Sequence, residues 1–145
     1  MKINILIRVS LFALACAIAA CREDDQVSAR TDAEMKALII GTWVLDDGPL
    51  SLYYMEKTYS PDGTSTGFLL NRQTRKRIDF TSSWKIEDGN LTGSVVTSSD
   101  PTAMAPSASY SNKIVKLTDK QFVMVQYGTG RVTIKHRKGR FAWNW

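Results

Sequence analysis

Few side chains in this sequence could do chemistry. They are one histidine, His136, two cysteines, Cys16 and Cys21, two clusters of Lys and Arg, and a set of aromatic and Met residues on alternating positions. Acid–base catalysis would have to centre on His136 or on paired carboxylates within hydrogen-bond reach of a substrate. His136 shares parity with Val132 and Ile134, which predicts an inward position at a strand end, where a structural histidine is the simpler outcome. Asp46 and Asp47 are neighbours in a turn, and adjacent residues of an extended chain point to opposite faces, so they make a poor acid–base pair. No Gly-x-Ser-x-Gly elbow, His/Cys metal spacing or phosphate-binding glycine loop occurs. The expectation is a non-enzymatic protein with no catalytic residue, metal or cofactor.

The cysteines point to different chemistry. Met1 to Ala20 carries Lys2 and Arg8, then an apolar run from Val9 to Ala20 broken only by Ser10, then small residues. This is the order of a cleaved secretory leader. The run is too short to favour a membrane-spanning helix, which needs roughly 20 mainly apolar residues. Cys16 lies inside the leader, so the mature chain keeps a single thiol and cannot form an internal disulfide. Ile18-Ala19-Ala20-Cys21 resembles the lipobox of bacterial lipoproteins. The resemblance implies cleavage before Cys21, acylation of that cysteine with chains of the palmitate class, and anchoring to a membrane. Stable anchoring takes more than one chain, and proteins of that family carry three. Arg22 follows the cysteine in place of the Asp that resembles an inner-membrane retention signal. The expected location is the cell envelope, on the periplasmic face of the outer membrane.

Lys and Arg number nineteen and Asp and Glu fourteen, for a net charge of +5. Loss of Lys2 and Arg8 with the leader leaves seventeen against fourteen, or +3. The basic residues gather as Arg72, Arg75, Lys76 and Arg77 and as Lys135, Arg137, Lys138 and Arg140. Export removes the nucleic-acid reading that such runs invite. A solvated basic rim is the plainer expectation; contact with anionic lipid headgroups is the sharper one.

The elements that position these groups read as one small domain, residues 38–145, behind a lipidated polar tether, 21–37. Arg22 to Arg30 has no apolar period and reads as a solvated spacer. Thr31 or Asp32 could cap a short helix through Glu34, Met35 and Leu38. From Ile39 the pattern becomes about eight short β-branched and aromatic runs: 39–46, 52–60, 64–72, 77–87, 91–98, 112–118, 122–127 and 131–137. Between them stand Asp47-Gly48-Pro49, Pro61-Asp62-Gly63, Asp88-Gly89-Asn90, Thr118-Asp119-Lys120 and Gly128-Thr129-Gly130, all of turn type. Tight turns join antiparallel neighbours. The fold class is therefore all-β, an antiparallel up-and-down meander closing into a small barrel, with a two-sheet sandwich as the competitor.

Alternation assigns the faces. Ile78, Phe80, Trp84 and Ile86 oppose Asp79, Lys85 and Glu87 in the fourth run; Val132 and Ile134 oppose Arg131, Thr133, Lys135 and Arg137 in the eighth. Gly41-Thr42-Trp43 at the first run resembles the Gly-x-Trp signature of lipocalins and lipocalin-like barrels. Tyr59 to Thr64, followed by Trp84 and then Asp88 to Leu91, is similar to a hairpin pattern of short bacterial lipocalin-like domains. The resemblance implies that Trp43 plugs the closed end of the barrel and that a late basic residue, Arg137 or Arg140, packs over it. The chain is shorter than a full lipocalin and lacks the long carboxy-terminal helix.

Two kinds of function are compatible with that barrel. Small barrels are filled by side chains or hold one small ligand. Trp43, Tyr54, Phe68, Phe80, Trp84, Phe122 and Met124 are the plug or ligand-lining candidates, with Met55, Ser82 and Gly93 as smaller or more flexible liners and Tyr53, Tyr54 and Tyr59 as a wall with polar tips. Core filling is the plainer role for each. The leading expectation is binding of a small apolar or amphipathic molecule. The alternative is an envelope inhibitor or partner-binding protein acting on a protease or lysozyme. It would act through the 99–110 loop or the aromatic tail Phe141-Ala142-Trp143-Asn144-Trp145.

Overall fold

The computed structural model describes residues 30–46 and 51–139. Cys21 with its lipobox, most of the tether, Arg140 and the aromatic tail lie outside the described residues. Eight antiparallel strands follow one another as a meander, and β1 pairs with β8 to close the barrel. The strands are β1 (Gly41–Asp46), β2 (Tyr53–Tyr59), β3 (Thr64–Asn71), β4 (Arg77–Glu87), β5 (Asn90–Ser98), β6 (Ser109–Leu117), β7 (Gln121–Gln126) and β8 (Val132–Arg137). Closure, rather than a sandwich, leaves no unpaired edge. Register shifts between Thr81 and Ser82 and between Ile114 and Lys116 supply the local bend that closure demands.

One helix, α1 (Asp32–Ile39), precedes β1. Thr31 caps it in a capping box: its hydroxyl accepts from the Glu34 amide while the Glu34 carboxylate accepts from the Thr31 amide. A boundary between tether and barrel at residues 37 and 38 would divide this helix. In the structure it belongs wholly to the barrel: Met35 and Ile39 are buried in the main core, and the Asp32 carboxylate accepts from the Asp88 and Gly89 amides of the β4–β5 turn at 2.8 and 3.0 Å. The helix thereby caps one end.

That end is filled. Trp43, Tyr59, Trp84, Ile86, Leu91, Leu117 and Phe122 pack with the helix side chains. Trp43 meets Phe122 edge to face at 5.6 Å, and Tyr59 meets Trp84 the same way at 5.6 Å. The Trp43 indole donates to the Ile39 carbonyl at 2.7 Å. Arg137 lies over the Trp43 ring at 4.4 Å and donates to the carbonyls of Ile40 and Asp119, each at 2.8 Å, and to that of Leu38. Of the two residues the sequence offered for this place, Arg137 occupies it.

Gly41 explains the first letter of Gly-x-Trp. Its φ is +115°, and a Cβ there would stand 2.5 Å from Arg137 Nη1. Alanine would meet both backbone strain and the guanidinium. Gly41→Ala is expected to cost about 2 kcal/mol, the usual scale for one residue held in a disfavoured backbone region, measured as a lower urea midpoint. An unchanged midpoint would show that the backbone at this position relaxes and that the guanidinium gives way with it.

Candidate functional site

The other end of the barrel is hollow. A cavity of about 670 Å³ opens between the β3–β4 hairpin, the β5–β6 loop and the β7–β8 turn. It falls within the ordinary size range of small-molecule sites. Its wall is largely apolar: Leu45, Met55, Leu69, Ile78, Phe80 and Met124 contribute from five strands. Tyr59 and Leu91 floor it above the packed end.

Two lysines project into this space. On β2 the inward parity runs Tyr53, Met55, Lys57, Tyr59, and Lys57 is only 5% exposed. Its ammonium donates to the Tyr110 hydroxyl at 3.0 Å and sits 5.0, 5.7 and 4.5 Å from the ring centroids of Tyr59, Phe80 and Tyr110. On β8, Lys135 is also 5% exposed, with its ammonium 5.9 Å from the Tyr59 ring. Desolvation, with a smaller push from Lys135, lowers the Lys57 pKa to about 7; desolvation lowers that of Lys135 to about 8. Burial raises Tyr59 and Tyr110 instead, because it disfavours the phenolate.

Glycines make room for this arrangement. A Cβ at Gly93 would stand 2.4 Å from the Tyr110 hydroxyl and 2.2 Å from the Ser83 carbonyl. Tyr110 therefore reaches across β5 to donate to Ser83 at 3.0 Å while accepting from Lys57. Gly67 likewise admits the Phe80 ring, whose Cζ would be 3.0 Å from an added Cβ.

The structure sorts the sequence candidates into three groups. Trp43, Trp84 and Phe122 belong to the packed end, and Phe80 and Met124 line the cavity. Tyr54 and Phe68, expected as plugs or liners, are instead on the outer face, stacked on each other at 5.7 Å. The register explains this: Tyr54 and Glu56 alternate with inward Met55 and Lys57, and Phe68 pairs with Glu56. Arg77 covers the Phe68 ring at 3.9 Å and Arg72 approaches Tyr54 at 5.8 Å, so cation–π contacts shelter these rings outside.

The faces of β8 are the reverse of the expectation. Val132 and Ile134 are 58% and 42% exposed, and His136 shares their parity rather than pointing in. Phe122 pairs with Lys135 and Met124 with Thr133, and directly paired residues share a face. Inward Phe122 and Met124 thus draw Lys135 and Thr133 inside.

Nor do the basic clusters form one rim. Arg72, Arg75, Lys76 and Arg77 stand at the open end, where Lys76 pairs with Asp100 of the β5–β6 loop and Arg77 with Asp79. Lys135 is interior, and Arg137 seals the opposite end. The 99–110 loop is also more ordered in role than expected: Ser109 and Tyr110 belong to β6, Ser107 donates to the Val95 carbonyl at 2.8 Å, and Ala103 and Met104 line the mouth. Nothing in the 52–60 run alone singles out Lys57; its signal is a lone charge at the parity of Met55 and Tyr59. Among the described residues no group of three or more His, Cys, Asp or Glu is placed to hold a metal, and no helix is long and apolar enough to cross a membrane.

No family model matches the chain, and no curated protein matches it. Among solved structures it is similar to an uncharacterized protein from Bacteroides eggerthii DSM 20697, at 14% identity, over 68% of this chain and 98% of the other, with a TM-score of 0.46.

Proposed function

We propose that the chain is a lipid-anchored envelope lipoprotein with a lipocalin-like barrel that binds a small apolar or amphipathic molecule. The observation that carries the binding part is the division of the barrel into a packed end and an apolar cavity of about 670 Å³ open at the mouth. A barrel kept only as a spacer would gain stability by filling that volume, since unfilled interior space forfeits packing contacts. The anchoring part rests on the leader and on Ile18-Ala19-Ala20-Cys21. Placement on the periplasmic face of the outer membrane follows from Arg22 after the cysteine.

Mass spectrometry of the protein from envelope membranes tests both parts. The denatured chain is expected to begin at Cys21 with added acyl mass, and Cys21→Ser to lose that mass. The native spectrum is expected to show a small molecule released on denaturation, retained when residues 141–145 are deleted. An unacylated wild-type chain refutes the anchor. A cavity that stays empty in native spectra and takes up no added amphiphile refutes the binding reading.

A further inference from the structure

Four cations line the cavity, Lys57 and Lys135 at depth and Lys76 and Arg131 toward the mouth, and no Asp or Glu lines it among the described residues. Lys76 has its partner in Asp100. The deep pair has none of that kind. The groups facing Lys57 are Tyr59 on its own strand, Phe80 from β4, Tyr110 from β6 and Lys135 from β8; from β1, β3, β5 and β7 come Leu45, Leu69, Asn71, Leu91, Val95, Met124 and Gln126. Lys135 makes no hydrogen bond or ion pair among the described residues and has only the distant Tyr59 ring. Both ammoniums lie within 6 Å of that one ring centroid, so they converge on one region of the floor.

Two like charges brought out of water with no counter-charge are costly, and apolar residues of similar length would be better for the empty barrel. The arrangement makes sense when the missing negative charge arrives with the ligand. Resting on the ligand-binding reading above, we infer that the cavity takes an amphiphile with an anionic headgroup, a carboxylate or a phosphate, seated between Lys57 and Lys135 with its apolar part toward the mouth. Tyr110 positions the Lys57 ammonium for this role through their hydrogen bond. The apolar part would then lie along Met55, Leu69, Ile78 and Met104. Because both lysines are held below their ordinary pKa, to about 7 and about 8, an incoming anion restores their charge, and binding near pH 8 takes up protons.

Titration calorimetry at pH 8 with laurate, dodecyl phosphate and dodecanol, each below its aggregation limit, tests the inference on the wild-type chain, Lys57→Met, Lys135→Met and the double variant. Laurate or dodecyl phosphate is expected to bind the wild type at least about tenfold more tightly than dodecanol. Each single substitution should weaken the anion by about tenfold and the pair by about a hundredfold, the scale of one charge-assisted hydrogen bond per lysine. Dodecanol affinity should stay within about threefold, with the urea midpoint of each variant equal to or above the wild type. The better of the two anions identifies the headgroup as carboxylate or phosphate. Repetition in buffers of different ionisation enthalpy should show net proton uptake that the double variant loses. Equal affinity for dodecanol and both anions, or unchanged anion affinity in the double variant, overturns the anionic headgroup and leaves cavity binding standing. Failure of all three amphiphiles to bind overturns both readings.

Discussion

Trp43→Ala is expected to lower stability by about 3–5 kcal/mol, the range for deleting a large aromatic side chain from a well-packed core. Trp43 has no solvent exposure, packs against Phe122 and lies beneath Arg137. The rigid surroundings prevent collapse of the hole: Arg137 is tied to the backbone at Leu38, Ile40 and Asp119, so it cannot settle into the vacated volume without losing those bonds. Trp43→Phe separates volume from polarity. It keeps most of the packing but leaves the Ile39 carbonyl without its indole donor, and should cost less, about 1–3 kcal/mol. Equilibrium urea unfolding of both variants measures the two terms. A loss below about 1 kcal/mol for Trp43→Ala would mean that the closed end is held by the helix and Arg137 rather than by the indole. Because the cavity lies at the other end, a variant that still folds should retain its ligand affinity within a few fold.

The fold was legible because its signals are local. Turn residues such as Asp62-Gly63 and Asp88-Gly89 stand where the hairpins are, and positive φ at Gly63, Asp88 and Gly89 shows why those types occur there. The predicted 77–87 strand coincides with β4, whose burial alternates along its length. The site was less legible, because a cavity is a relation between strands. Whether Lys135 points in or out depends on its pairing with Phe122 across the β7–β8 hairpin, and the count of apolar residues within β8 alone gave the wrong face. Tyr54 and Phe68 misled in the same way: as aromatics they read as core, yet the register of β2 and β3 leaves them outside, where Arg72 and Arg77 shelter them. The sequence marks Trp43 through Gly41 and Arg137, three residues that meet at one end. It marks the cavity only by charges standing at apolar parity, and that parity is known once neighbouring strands are aligned.

Those same charges predict that the empty protein is more stable at alkaline pH than at neutrality. Lys57 and Lys135 have folded pKa values of about 7 and about 8 against an ordinary 10.5. Between about pH 7 and 10.5 the unfolded chain therefore holds protons that the folded chain has released, and the unfolding free energy rises with pH through that window. Below about pH 7 both states carry the Lys57 proton and its full desolvation penalty is present. Tyr59 sets the upper limit: its folded pKa is raised by burial, so above about pH 10 the unfolded chain loses a proton the folded one keeps, and stability falls again. The expected curve climbs by about 3–5 kcal/mol from pH 7 to 9.5 and then turns over. Lys57→Met should flatten most of the climb and raise stability at pH 7, since Tyr110 keeps its own acceptor at Ser83 when the ammonium is gone. Urea midpoints from pH 6 to 10.5 for both proteins measure this. A flat wild-type curve, or destabilisation by Lys57→Met at pH 7, would show that cavity water solvates the ammonium well enough to remove the penalty. A saturating anionic amphiphile should shrink the climb: with its charge beside the lysines the folded pKa values move up toward the unfolded value, so less stability is gained as pH rises. Empty and loaded protein should thus differ in the steepness of their pH dependence, which distinguishes a lysine pair that serves a ligand from one the barrel merely tolerates.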